Sequence, residues 1–273
     1  MSDLYQPFLN FALELAQAAA GQIRPYYQNC TISRKSDGSE VTEADREAEI
    51  AMRKLIAERY PDHGILGEEF GAGQTSSGPY CWVLDPIDGT AWFALGTPLF
   101  GTLVALLEYD EPVVGVIHFP LLAETVYAVK GGGCWFKTGG ADPIRLQVSN
   151  GLPLSQAYIS ASGVHSSDLR PAADGAAYPL SALIRQAGRF RFCGDCMQYA
   201  LVCRGRLQLA LDPVVKPWDI AAIVPCIEEA GGVVTTLAGE RERIVYGGSL
   251  VASCDPALHQ ETLKMLRLSA REK

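Results

Sequence analysis

Apolar residues Leu4, Phe8, Phe11, Ala12, Leu15, Ala18, Ala19 and Ile23 recur at spacings of three and four, which predicts a long first helix ending near Tyr26 and Tyr27. A second helix is predicted from about 43 to 59, with Ala48, Met52, Leu55 and Ile56 on its apolar face and Pro61 beyond its end. The period then shortens to that of strands. Ile65-Leu66 and Trp82-Val83-Leu84 are brief apolar runs bounded by turn residues, 99–107 and 113–117 read as a hairpin closed around Tyr109-Asp110-Glu111, and 125–129 extends the same sheet. The glycine-rich stretch 131–150 is the candidate boundary between two halves, residues 1–147 and 148–273, that act as one functional unit. Beyond it the pattern predicts strands at 208–211 and 250–253 and helices at 219–230 and 256–268, with Gly231-Gly232 ending the first of these helices. Long helices mixed with an antiparallel sheet predict a layered, mixed α/β fold rather than a simple doubly wound one.

Composition narrows the function. The chain of 273 residues is 48% apolar, enough for a sizeable core. Its 23 basic against 31 acidic residues leave a net charge of −8, which disfavours nucleic acid and anionic membranes as partners. Apolar runs such as 103–107 fall far short of the roughly 20 residues a membrane helix needs. The N-terminus carries Asp3 and Glu14 and no base before Arg24, which reads as a cytoplasmic start rather than a secretory leader. Eight cysteines without the density of a small secreted scaffold fit reduced thiols, so the Asn29-Cys30-Thr31 sequon is expected to be chance.

The candidate chemistry is acidic. Gly67-Glu68-Glu69 follows one predicted strand, Asp85-Pro86-Ile87-Asp88-Gly89-Thr90 follows another, and Trp218-Asp219 opens a helix. Taken alone, Glu68-Glu69 also fits a solvated turn, Asp219 a helix cap, and Thr42-Glu43-Ala44-Asp45 a capping box. The hexapeptide Asp85–Thr90 is more specific, because it joins two aspartates, a glycine that permits close backbone approach and a hydroxyl at the end of an apolar strand. Two unit charges about 4 Å apart repel by about 4 kcal/mol at an effective dielectric of 20, and a divalent cation reverses that sign. A ligand set of hard oxygens with no histidine or cysteine points to Mg²⁺. Other phosphatase chemistries fail by inspection, since no cysteine has an arginine six residues later and Asp85 and Asp88 do not form Asp-x-Asp. Cys193-Gly-Asp-Cys196 has the spacing of a redox or half-zinc motif, but no second pair stands at matching spacing. The histidines at 63, 118, 165 and 259 are scattered and read as structural or exposed.

These three motifs, in this order, resemble the inositol monophosphatase family of metal-dependent phosphomonoesterases over the length of the chain. The resemblance implies a layered α/β/α/β/α sandwich, usually a homodimer. Within the family, Lys35–Ser39 with Val41–Asp45, the stretch from Pro61 to Leu66, Pro98–Leu103 and Lys216–Asp219 look most like the histidinol-phosphate phosphatase branch. Ala91, where that branch often has a base, is the departure, and it bears on the substrate rather than on the metal.

The resemblance assigns Glu68, Asp85, Asp88, Asp219 and the Ile87 carbonyl to Mg²⁺, two or three ions per site, with Asp45 holding a water of a further metal. Thr90 with Glu68 would orient the attacking water, and the amides of Gly89 and Thr90 would cradle the phosphate. Asp195 and Asp212 stand where the substrate alcohol is recognised, and would favour a cationic one such as histidinol. The implied reaction is hydrolysis of a small phosphorylated alcohol by direct attack of water, with sensitivity to lithium. An inositol or sugar monophosphatase is the alternative within the enzyme class. A non-catalytic metal-binding regulator would be expected to lose one of Glu68, Asp85, Asp88, Thr90 or Asp219, and all five are present.

Overall fold

The computed structural model describes residues 2–29, 31–34, 40–73, 78–173 and 177–268, so Cys30 of the sequon and Lys35–Ser39 lie outside it. Helix α1 (Ser2–Ile23) gives way to a tighter turn at Arg24–Tyr26, ending slightly before the predicted tyrosines. Strands β1 (Ser33–Arg34) and β2 (Glu40–Val41) pair antiparallel before helix α2 (Glu43–Arg59), which has the predicted bounds.

Strands β3 (Gly64–Gly67), β4 (Gly71–Ala72) and β5 (Tyr80–Asp88), the short helix α3 (Thr90–Ala94), then β6 (Gly101–Glu108), β7 (Glu111–Phe119), β8 (Glu124–Val129), β9 (Gly133–Thr138) and β10 (Ile144–Arg145) follow in sequence. These eight strands, β3 to β10, form one sheet in the order β10-β9-β8-β7-β6-β5-β3-β4. Every neighbouring pair in it is antiparallel except β3 and β5. The β6–β7 hairpin turns on Tyr109 and Asp110, both at positive φ, as a two-residue turn matched to strand twist requires. The stretch 131–150, read from sequence as the boundary between two halves, contains β9 and β10, both hydrogen-bonded into this sheet. Gly131 and Gly133 supply the positive φ of the turn that starts β9.

The remaining elements are β11 (Tyr158–Ala161), α4 (Leu180–Gln186), β12 (Arg189–Arg191), α5 (Asp195–Cys203), β13 (Leu209–Asp212), α6 (Pro217–Ala221), α7 (Ile223–Glu229), β14 (Val233–Thr235), β15 (Leu250–Ser253) and α8 (Pro256–Leu268). Their strands make a mixed sheet ordered β12-β11-β13-β15-β14. The single helix predicted over 219–230 is two, α6 and α7, meeting at Ala222. The apolar period continues through the break, so it carried no sequence signal.

Successive residues of β5 and β6 face opposite cores. Trp82, Leu84, Val104 and Leu106 pack with Phe11, Leu15, Met52 and Ile56 of α1 and α2, while Val83, Leu103 and Ala105 pack with Tyr199, Ile223 and Ile227 of α5 and α7. A sheet covered on both faces reads as a continuous apolar run instead of an alternating one. A third core joins the far face of the second sheet to α4 and α8 through Ile159, Leu211, Leu183 and Leu258. The layers are helices, sheet, helices, sheet, helices, an α/β/α/β/α sandwich.

Candidate active site and metal centre

Asp85 and Asp88 are three residues apart, and in a regular strand they would point to opposite faces. The β5–β6 register slips between them: Asp85 pairs with Leu103 and Asp88 with Gly101, so the span from 85 to 88 advances three residues against two. Pro86, which has no amide hydrogen for the ladder, sits inside this bulge, and its carbonyl accepts the Thr102 hydroxyl at 2.8 Å. The extra residue turns Ile87 into the core under α1 and α2 and brings both aspartates to the other side. One carboxylate oxygen each of Asp85, Asp88 and Asp219 lie within 4.8 Å of one another. Gly89 then turns the chain with φ of +89°, and Thr90 begins α3 with its hydroxyl donating to the Ile87 carbonyl at 3.0 Å.

Helix α2 serves the site twice. At its start, Asp45 Oδ2 accepts the Thr42 amide at 2.8 Å and the Thr42 hydroxyl at 2.6 Å, so the capping box is real. One turn later the fully buried Glu49 accepts the amides of Glu69 at 2.8 Å and Phe70 at 3.3 Å and is paired with Arg53 at 2.7 Å. A Cβ on Gly67 would lie 2.0 Å from Glu49 Oε1. The glycine of Gly67-Glu68-Glu69 is therefore needed to let the Glu49 carboxylate hold the loop that presents Glu68.

The second half closes the site. Asp219 accepts the Lys216 amide at 2.7 Å and caps α6 while facing Asp85 and Asp88. Asp195, at φ +48°, opens α5; its amide donates to Ser162 Oγ at 2.9 Å and its carboxylate is hydrogen-bonded by Trp92. The next amide, of Cys196, donates to Asp88 Oδ2. A Cβ on Gly89 would lie 3.1 Å from Asp195 Oδ2, so Gly89 and Asp195 are neighbours. Asp212 is buried and accepts the Ser162 amide at 3.1 Å, Gln198 Nε2 at 2.6 Å and the Tyr199 hydroxyl at 2.9 Å. Asp88, Asp195, Asp212 and Asp219 line one small cavity of about 80 Å³, to which Ser162 and Tyr199 also contribute.

The electrostatics are those of a site waiting for positive charge. Burial, then the charges of Glu68, Asp88 and Asp219, push the Asp85 carboxyl well above its usual range. Asp88 is raised by burial and by Asp195 and Asp219, Asp219 reaches about 7, and Asp45 reaches about 6, each chiefly through burial. Asp45 Oδ1 and Asp85 Oδ1 are buried with no hydrogen-bond partner. An orphaned buried carboxylate oxygen is costly, and a hard divalent cation is the partner that an all-oxygen donor set fits.

All the residues singled out from sequence meet here: Asp45, Glu68, Asp85, Ile87, Asp88, Gly89, Thr90, Asp195, Asp212 and Asp219. Glu68 belongs to the group through its charge, which raises Asp45, Asp85 and Asp219. Sequence reasoning missed Glu49, Trp92, Thr102, Ser162, Gln198 and Tyr199. Only Glu49 carried a signal, one turn after Asp45 on the buried face of α2 with Arg53 one turn further on. Cys196 uses its backbone amide at the site, and all seven described cysteines are free. His118 and His259 are buried and hydrogen-bonded.

A model of the inositol monophosphatase family matches residues 4–271. A histidinol-phosphatase of Mycobacterium tuberculosis is 38% identical over 260 residues, covering 94% of this chain and 97% of that one. One from Chlorobaculum parvum is 37% identical over 253 residues, covering 90% and 92%. Among solved structures, an inositol monophosphatase from Zymomonas mobilis superimposes with a TM-score of 0.80 at 30% identity, over 97% of this chain and 99% of that one.

Proposed function

The chain belongs to the inositol monophosphatase family of phosphoric monoester hydrolases, and from that premise we propose that its ester is histidinol phosphate. The observation that carries this reading is the charge of the substrate end. Four aspartates line the cavity; Asp88 and Asp219 would face the metal, which leaves Asp195 and Asp212 for the alcohol, and no lysine, arginine or histidine lines it among the described residues. Histidinol offers an amine and an imidazole, both hydrogen-bond donors when protonated. Besides the carboxylates, Gln198 Oε1 is a buried acceptor without a partner beside Asp212 and Ser162. An uncharged polyol would leave this acceptor-rich end without a counter-charge.

Glu68, Asp85, Asp88, Asp219 and the Ile87 carbonyl would hold Mg²⁺, two or three ions in all, with Asp45 contributing through a water. When bound, the metal supplies the positive charge that polarises the phosphoryl group and lowers the pKa of a water. The protein's own part is positional. The Thr90 hydroxyl spends its hydrogen on the Ile87 carbonyl, leaving its lone pairs to accept from the attacking water. The amides of Gly89 and Thr90 at the start of α3 face the phosphate, where glycine admits close approach. Asp195, beside Gly89, receives the cationic alcohol. Asp212 lies beneath it and fixes Ser162, Gln198 and Tyr199.

Family membership further leads us to infer inhibition by lithium, a homodimer, and residence in the cytoplasm; among the described residues no helix is long and apolar enough to cross a membrane. The test is a substrate panel with Mg²⁺. Histidinol phosphate should exceed inositol phosphate and sugar phosphates in kcat/KM. A polyol phosphate as the better substrate overturns the substrate and leaves the hydrolase chemistry in place.

A further inference from the structure

Outside the catalytic centre, a cavity of about 420 Å³ lies between α1 and strands β7 to β9 of the first sheet. That volume is in the range of sites for small organic ligands. Its lining is opposite in character to the acidic centre. Arg24 and Lys137 stand exposed at its rim, and no carboxylate lines it among the described residues. Neither base forms an ion pair among the described residues; the Arg24 Nε donates to the Pro120 carbonyl at 3.1 Å, which fixes the guanidinium in place. In a chain of net charge −8, two uncompensated bases on one cavity are a local reversal of sign.

The interior is polar at the floor and apolar at the walls. His118 is almost fully buried, with Nδ1 2.9 Å from the Thr125 hydroxyl and Nε2 3.4 Å from the Gln17 amide nitrogen. Burial and the nearby Arg24 guanidinium lower His118 to about 4, so it is neutral at pH 7 and the positive charge resides at the rim. Leu13, Tyr127 and Pro143 supply apolar wall. A ring could lie against that wall while acidic groups meet the two bases.

We propose that this cavity is a second ligand site, which takes a small ring-bearing organic dianion with its acidic groups on Arg24 and Lys137. The ligand class follows from two rim cations, a neutral hydrogen-bonding floor and an apolar wall. The site is separate from the metal centre in both charge and lining residues, so it does not depend on which phosphoester is hydrolysed.

The test is a ligand-observed NMR titration of the intact, Mg²⁺-loaded protein with 4-sulfobenzoate, an aromatic ring bearing two acidic groups. Saturable binding by the unaltered protein is expected. Lys137→Glu should weaken it about fivefold, the upper end for one exposed charge interaction, while Lys137→Arg retains it. Asp88→Asn, which alters only the metal centre, should leave the affinity unchanged. Absence of saturable binding up to about 10 mM, beyond any specific affinity of interest, overturns the proposal. So does equal binding by Lys137→Glu, and so does loss in Asp88→Asn with retention in Lys137→Glu, which would place the ligand at the metals.

Discussion

The backbone amide of Cys196, in the first turn of α5, donates to the carboxylate of Asp88, 108 positions earlier in the chain. This bond crosses from the second half to the bulged end of β5, which carries two of the clustered aspartates. The two halves also share one apolar core, in which Val83, Leu103 and Phe119 meet Tyr199, Ile223 and Ala252. Residues 1–147 and 148–273 expressed separately are therefore expected to be inactive and to expose apolar surface. Phosphate release by either fragment alone would contradict this.

Asp88→Asn removes a carboxylate from the trio within 4.8 Å and halves the acceptor strength at the Cys196 amide. A fall in kcat of about 10²- to 10³-fold is expected, comparable with the loss of one electrostatic stabiliser in other active sites. Excess chelator should abolish activity of the unaltered protein. Phosphate release at fixed Mg²⁺ measures both.

Glu49→Ala would leave the part-buried amides of Glu69 and Phe70 and the Arg53 guanidinium without their acceptor, at a cost of about 1–3 kcal/mol. For a chain of this size that corresponds to a fall in Tm of roughly 3–10 °C. Gly67→Ala should act in the same direction, because its Cβ would displace the same carboxylate. Both variants should also need more Mg²⁺ for half-maximal activity, since the Glu68 loop loses its anchor; an unchanged Mg²⁺ requirement in both would refute the positioning role.

The pH dependence of the metal-free protein follows from Asp219, whose folded-state pKa is raised to about 7, first by burial. A group raised on folding contributes stability that is complete below its unfolded value near 4 and lost as pH rises through 7. Asp219→Asn, neutral throughout, should therefore be more stable than the unaltered protein at pH 8, with the gap closing toward pH 4. Thermal melts in chelator across that range check the sign. Added Mg²⁺ at pH 8 should raise the Tm of the unaltered protein more than that of the variant.

Asp195→Asn keeps a residue type that tolerates positive φ while removing the charge beside Gly89. It should lower kcat/KM for histidinol phosphate about 10- to 100-fold more than for a polyol phosphate, the value of one charge-assisted hydrogen bond. Asp212→Asn disturbs Ser162, Gln198 and Tyr199 together and should lower both. Equal losses on both substrates from Asp195→Asn would remove the charge argument.

Legibility from sequence divided by range. Helix α2 and the hexapeptide Asp85–Thr90 stood out because periodicity and contiguous chemistry are local properties. Helix α5 was missed, although its first two residues shape the site. It is buried almost all round, from Cys196 to Cys203, and a helix without a polar face lacks the amphipathic signature. Trp92, Ser162 and Tyr199 likewise became visible only when folding placed them beside Asp195 and Asp212. Within the stretch 131–150, strands β9 and β10 went unread, because glycine marks a turn between paired strands as readily as a break between halves.

The bulge in β5 has a consequence for how this motif can vary. Three residues advance against two between Asp85 and Asp88, and that count sets the parity of every side chain after Pro86. Drawn into a regular ladder with all three residues kept, the strand would swing the second aspartate toward Phe11, Leu15 and Met52. A substitution that flattened the bulge would separate the two carboxylates while keeping both. The slip makes an odd interval between the two aspartates count as an even one, so their shared side of the sheet is set by the bulge and not by the spacing of the motif.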